Sequence, residues 1–79
     1  MVSLKTILNS ISTELGVSEA SVYSILSITN HPDTSQEDIN TLKTATGIAD
    51  SDTKLVRANK VIDSGYASND LLLFINKII

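Results

Sequence analysis

The chain has 79 residues, a net charge of −3 and no cysteine. That excludes disulfides, thiolate metal ligands and thiol nucleophiles, and a sequence pI near 4.7 lacks the basic excess from which nucleic-acid modules draw most of their affinity. Hydrophobic residues at 42% and charged residues at 19% exclude a disordered composition and allow one small domain with a thin core of Leu, Ile and Val.

Leu4, Ile7, Leu8, Ile11 and Leu15 recur at intervals of three and four, which predicts a first helix from Leu4 to Leu15 capped by Ser3. Gly16-Val17-Ser18 follows, with Ser18 suited to cap a second helix reaching about Ile28 and Glu19 suited to its positive end. Asn30-His31-Pro32-Asp33 breaks the pattern, since Pro32 has no amide proton and restricts His31. Thr34 with Glu37 has the spacing of a capping box, as Ser35 with Asp38 does more loosely. A third helix is expected from about Ser35 to Thr46, with a weak apolar face of Ile39, Leu42 and Ala45 and the most exposed surface of the set. Gly47 ends it. Asp50 or Ser51 is expected to cap a fourth helix that buries Leu55, Ala58, Val61 and Ile62 and stops near Asp63 or Ser64, before Gly65. Ser68 is expected to cap a fifth, with Asp70 in its first turn; Leu71 to Ile75, Ile78 and Ile79 leave it little polar surface. All three glycines thus fall at helix C-termini, and no two-residue alternation signals a strand. The spacing of Leu8, Ile11, Gly16 and Val17 returns in Ile39, Leu42, Gly47 and Ile48. Shared rules for ending helices account for so short a match.

The stretch Leu8 to Ser27 resembles the helix-turn-helix of bacterial and phage regulators. The likeness is carried by Ile11, Leu15, Gly16-Val17-Ser18, Val22 and Ile25, with Ser12 where that family usually has Ala. It implies a DNA-reading second helix, with Ser18, Glu19, Ala20, Ser21 and Tyr23 toward base edges. The sequence departs from the family in having no Lys or Arg between Lys5 and Lys43, the residue types that make most base and phosphate contacts. Lys54, Arg57 and Lys60, three apart on the fourth helix, could grip a phosphate backbone in this reading. The plainer reading is a solvated face.

Residues 40–62 are similar to the helix–Gly–acidic-turn–helix segment of phage head-to-tail adaptor proteins, through Leu42-Lys43, Gly47-Ile48, Asp50 to Asp52, Leu55 and Ile62. That resemblance implies a small helical subunit that binds its neighbours in a particle. Asp50-Ser51-Asp52 opens with the spacing of a calcium loop, but Lys54 stands where an oxygen ligand is needed, so these residues read as a helix start. His31 is the single histidine and has no ligand or triad partners in the sequence.

The expectation is an all-α domain of about five short helices with a helix-turn-helix-like central pair. No catalytic residue, metal, cofactor or small-molecule substrate is assigned. The function expected is protein–protein interaction, as in a connector subunit of a phage particle, with a protein partner or a second copy. The alternative is a small DNA-binding regulator using Ser18, Ser21, Tyr23, Lys54, Arg57 and Lys60. Phe74, Ile75, Ile78 and Ile79 are expected to divide between the core and a partner, with Lys77 at the rim. The N-terminal residues offer no signal-peptide core, and the longest apolar run, Leu71 to Ile75, is too short to cross a bilayer. A cytoplasmic location, or one in a particle assembled there, is expected.

Overall fold

The computed structural model of the protein describes residues 3–78, of Ile78 the backbone only. Five helices follow in order: α1 (Leu4–Leu15), α2 (Glu19–Ile25), α3 (Gln36–Thr46), α4 (Lys54–Asp63) and α5 (Asp70–Ile78). There is no strand among the described residues, and the all-α expectation holds.

The helix starts are set by side-chain hydroxyls. Ser3, Ser18, Ser35 and Thr53 each accept a hydrogen bond from the amide three residues on, which satisfies one otherwise unpartnered donor. The cap of α4 is therefore Thr53, not Asp50 or Ser51. The Asp52 carboxylate turns back to accept the Ala49 amide at 2.8 Å, and the Asp52 amide donates to the Ala49 carbonyl at 3.1 Å. That closed turn occupies residues 49–52 and delays the helix. At α5, Ser68 enters through its backbone carbonyl, which accepts from the Leu71 amide at 3.1 Å.

The helix ends divide into two kinds. Gly16 takes φ +68° and ends α1 where predicted, its amide and that of Val17 both donating to the Ser12 carbonyl. α2, by contrast, stops at Ile25 rather than Ile28. Ser27 turns left-handed at φ +59°, with the Ser27 amide on the Ser24 carbonyl and the Ile28 amide on that of Tyr23, both at 3.0 Å. Those two bonds are the Schellman closure that glycine usually provides, here made by a residue with a Cβ.

Each helix is in contact with its successor in the chain, and α1 also touches α3 and α5, closing the set into a ring. One cluster fills the middle, drawn from every helix: Leu8 and Ile11 of α1, Val22 and Ile25 of α2, Leu42 of α3, Ala58 and Val61 of α4, Leu71 and Ile75 of α5, all nearly inaccessible. Leu55, expected inside, is 36% exposed. α3 buries only Leu42 and Thr46, and half of α1 (Lys5, Thr6, Asn9, Ser10, Thr13 and Glu14) faces solvent as well. Gly47, at φ +77°, repeats the left-handed ending of Gly16, with Ile48 buried and Val17 half-buried behind them. The two units then diverge, because α2 starts at once after Gly16-Val17-Ser18 whereas the 49–52 turn separates Ile48 from α4.

Candidate functional site

α2 holds the place of a recognition helix, yet no residue from Glu19 to Leu26 is exposed. Its polar side, with Ser21 and Ser24 in line with the Ser18 cap, is packed against the chain leading into α3. Ser21 is fully buried; its hydroxyl donates to Asp38 Oδ2 at 3.3 Å, accepts the Ser35 amide at 3.3 Å and lies 2.8 Å from Ser18 Oγ. The Ser18 amide donates to Asp38 Oδ2 at 3.0 Å. Ser24 Oγ pairs with Thr34 Oγ1 and accepts the His31 amide at 3.3 Å. Tyr23 is half-buried against the core. Ser21 is thus corrected as a base-contacting candidate, since its hydroxyl is consumed inside the fold. The Ser18 amide beside Asp38 holds that carboxyl below the ordinary aspartate range, with the hydroxyls of Ser18, Ser21 and Ser35 adding to the effect.

Two of the three basic side chains of α4, Arg57 and Lys60, also bond within the fold. Arg57 donates from Nη1 to the Ile25 carbonyl at 2.8 Å, from Nε to the Asp52 carbonyl at 2.9 Å and from Nη2 to the Asp50 carbonyl at 2.9 Å. Lys60 Nζ lies 2.6 Å from Asp52 Oδ2 and donates to the Gly47 carbonyl at 3.0 Å. The donors of Arg57 and Lys60 are thus engaged by groups of the fold itself. The two side chains are a clasp that ties α4 to the end of α2 and to the turn after α3. Lys54 is half-buried and makes no ion pair among the described residues. Lys43 pairs with Asp50 at 2.6 Å and lowers its carboxyl pKa; Asp52 is lowered by the Ala49 amide first and then by Lys60. His31 Nδ1 accepts the Asp33 amide at 3.2 Å, a local turn contact. No group of three or more His, Asp or Glu able to hold a metal occurs among the described residues.

Large apolar side chains are left exposed on α4, at Leu55 and Val56, and most of all on α5, at Leu73. Leu71 and Ile75 are fully buried, so of the four residues expected to divide between core and partner, Ile75 falls to the core. Phe74 is half-buried, with Lys77 Nζ 5.7 Å from its ring centroid. Of Ile78 only the backbone is described, and Ile79 lies outside the described residues. Leu73, which the sequence does not single out, is 62% exposed and is the most exposed large apolar residue found. On a helix with hydrophobic residues all round, periodicity gives no sign of which one is left outside.

Comparison of the chain with protein-family models, with curated proteins and with solved structures finds no match in any of the three. No helix among the described residues is long and apolar enough to cross a membrane.

Proposed function

We propose that this chain is a non-enzymatic interaction module that binds another protein through the outer face of α5. The observation that carries the reading is the run Leu72-Leu73-Phe74: three consecutive apolar side chains, none of them buried, on a helix whose other side already fills the core. Leu73 is 62% exposed, and Leu72 and Phe74, each packed in part against the core, flank it; apolar surface left outside a core is the usual material of an interaction site. The narrower assignment, a connector subunit of a phage particle, is supported by the likeness of residues 40–62; several of the residues that carry it, Lys43, Asp50 and Asp52, are engaged in contacts within the fold. DNA reading is disfavoured by the inward-facing α2 and by the net charge of −3.

A photo-crosslinking residue at Asn76, exposed beside Leu73, tests the reading in cells of the native source. A light-dependent protein adduct is expected, lost on Leu73→Ser and absent from the same probe at Thr13 on α1. Equal adducts at both positions, or none at Asn76, would overturn it. So would submicromolar, salt-sensitive binding to a defined DNA duplex.

A further inference from the structure

We propose that the occupant of this face is a second copy of the same chain, and that two α5 helices pair antiparallel about a two-fold axis. The inference rests on the protein-contact reading above and names its partner. Asp70, Leu73 and Lys77 stand three and four positions apart, so they share one face of α5, and all three are exposed. Phe74 borders the same face, with the Lys77 ammonium over its ring. Leu71 and Ile75, with no accessible surface, anchor the opposite side and fix which face is presented.

Along the chain this face reads acid, two apolar residues, base. Read end for end, it reads base, two apolar residues, acid. The pattern is therefore complementary to itself in the antiparallel sense, which is what an isologous contact requires. An axis passing between Leu73 and Phe74 sets Asp70 of each copy opposite Lys77 of the other, and Leu73 of each against Phe74 of the other. The register follows from the positions alone, because the two charges lie equally far from the midpoint of the apolar pair. No other helix offers the same face. α1 exposes a base and an acid near its ends, Lys5 and Glu14, but only polar residues between them; α3 and α4 expose no base. A nine-residue helix covers less than the roughly 800 Å² per partner of a tight complex, so the pairing is reversible and concentration-dependent.

Sedimentation equilibrium from about 10 µM to about 1 mM reads the association directly. The mass is expected to rise from 8.5 kDa toward twice that value. Asp70→Lys alone, or Lys77→Asp alone, sets like charges opposite each other and weakens association by at least about tenfold. The double variant Asp70→Lys/Lys77→Asp restores the pairing to within about threefold of the parent, because both contacts are re-formed with reversed sign. Leu73→Ser abolishes association while the helical circular dichroism is retained. The ends of α5 also favour an acid first and a base last through the helix dipole. If that were their whole role, the double variant would be the least stable of the set and would rescue nothing. A monomer at every concentration, a double variant no better than the singles, or association indifferent to Leu73→Ser would each overturn the proposal. A monomeric parent whose Asn76 probe still yields a protein adduct would remove the second copy and leave the protein-contact reading standing; no adduct at all would remove both.

Discussion

Arg57 Nη1 donates to the carbonyl of Ile25 at 2.8 Å across 32 positions of sequence. The bond sets a guanidinium against the last residue of α2, at the negative end of that helix, while the other two arms of the fork hold the turn that precedes α4. One side chain therefore fixes the position of three chain segments.

Removing it should be costly. Arg57→Ala is expected to lower stability by about 2 kcal/mol, the range for hydrogen bonds to a charged group, read as a shift in the urea midpoint at constant slope. Arg57→Lys should recover only part of the loss, since one ammonium cannot reach three carbonyls as the planar fork does. Equal stability of the Lys variant and the parent would show that charge, and not the fork, matters at this site.

Ser27 should be replaceable with gain. It holds φ +59°, a conformation that costs a residue with a Cβ roughly 1–2 kcal/mol and glycine far less. Ser27→Gly is expected to raise the melting temperature, with a net stabilisation of up to about 1 kcal/mol after the larger unfolded-state freedom of glycine is counted. Ser27→Ala, which keeps the Cβ, should bring no gain. A melting temperature unchanged in Ser27→Gly would mean that the left-handed ending of α2 carries no strain.

Acid should loosen the fold through three aspartates. Asp38, held by the Ser18 amide, Asp50, held by Lys43, and Asp52, held by the Ala49 amide and Lys60, all lie below the ordinary value of 3.8. Near and below that value the unfolded chain binds protons that the folded chain does not, so stability falls as pH falls. The contribution is complete above the unfolded pKa and is lost as pH drops through the folded one. Urea midpoints should hold steady from about pH 7 to about pH 5 and decline below about pH 4. Asp38→Asn and Asp52→Asn should each be less stable than the parent at neutral pH and show a shallower acid decline. An acid decline of undiminished steepness in both variants would place its origin elsewhere.

The two sides of α5 should separate cleanly. Ile75→Ala, at a site with no accessible surface, is expected to cost about 2–5 kcal/mol. Leu73→Ala, 62% exposed, should change monomer stability by no more than about 0.5 kcal/mol. Thermal melts of dilute samples compare the two, and similar losses would mean that Leu73 is packed in solution.

The helix boundaries are legible in the sequence where their cause is local. Ser3, Ser18 and Ser35 act on amides three residues away, and Gly16, Gly47 and Gly65 act on their own backbone. Ser27 breaks the rule because nothing in its residue type announces a positive φ. Asp38, Arg57 and Lys60 are illegible for another reason. Their partners lie 20, 32 and 13 positions away, and no spacing within a helix encodes a partner on a different one. The serines of α2 look outward-facing because they are polar. They face inward because residues 31–35 and Asp38 bring backbone amides and a carboxylate to meet them. On α5 the pattern is silent in the opposite way: with apolar residues at almost every position, burial at Ile75 and exposure at Leu73 follow from which side α1 and α4 happen to cover.

The enclosure of α2 also governs how the molecule opens. A seven-residue helix is too short to persist alone in water, yet this one packs against α1 and α3, exposes none of its residues, and has Val22, Ile25 and the adjoining Leu26 sealed from solvent. Its amide protons cannot reach water through fraying of its own ends, because Asp38 with Ser35 guards one end and Arg57 the other. Exchange of the Val22 and Ile25 amides with deuterium therefore requires α3 or α4 to detach first, which places the shortest helix of the fold among its slowest-exchanging segments.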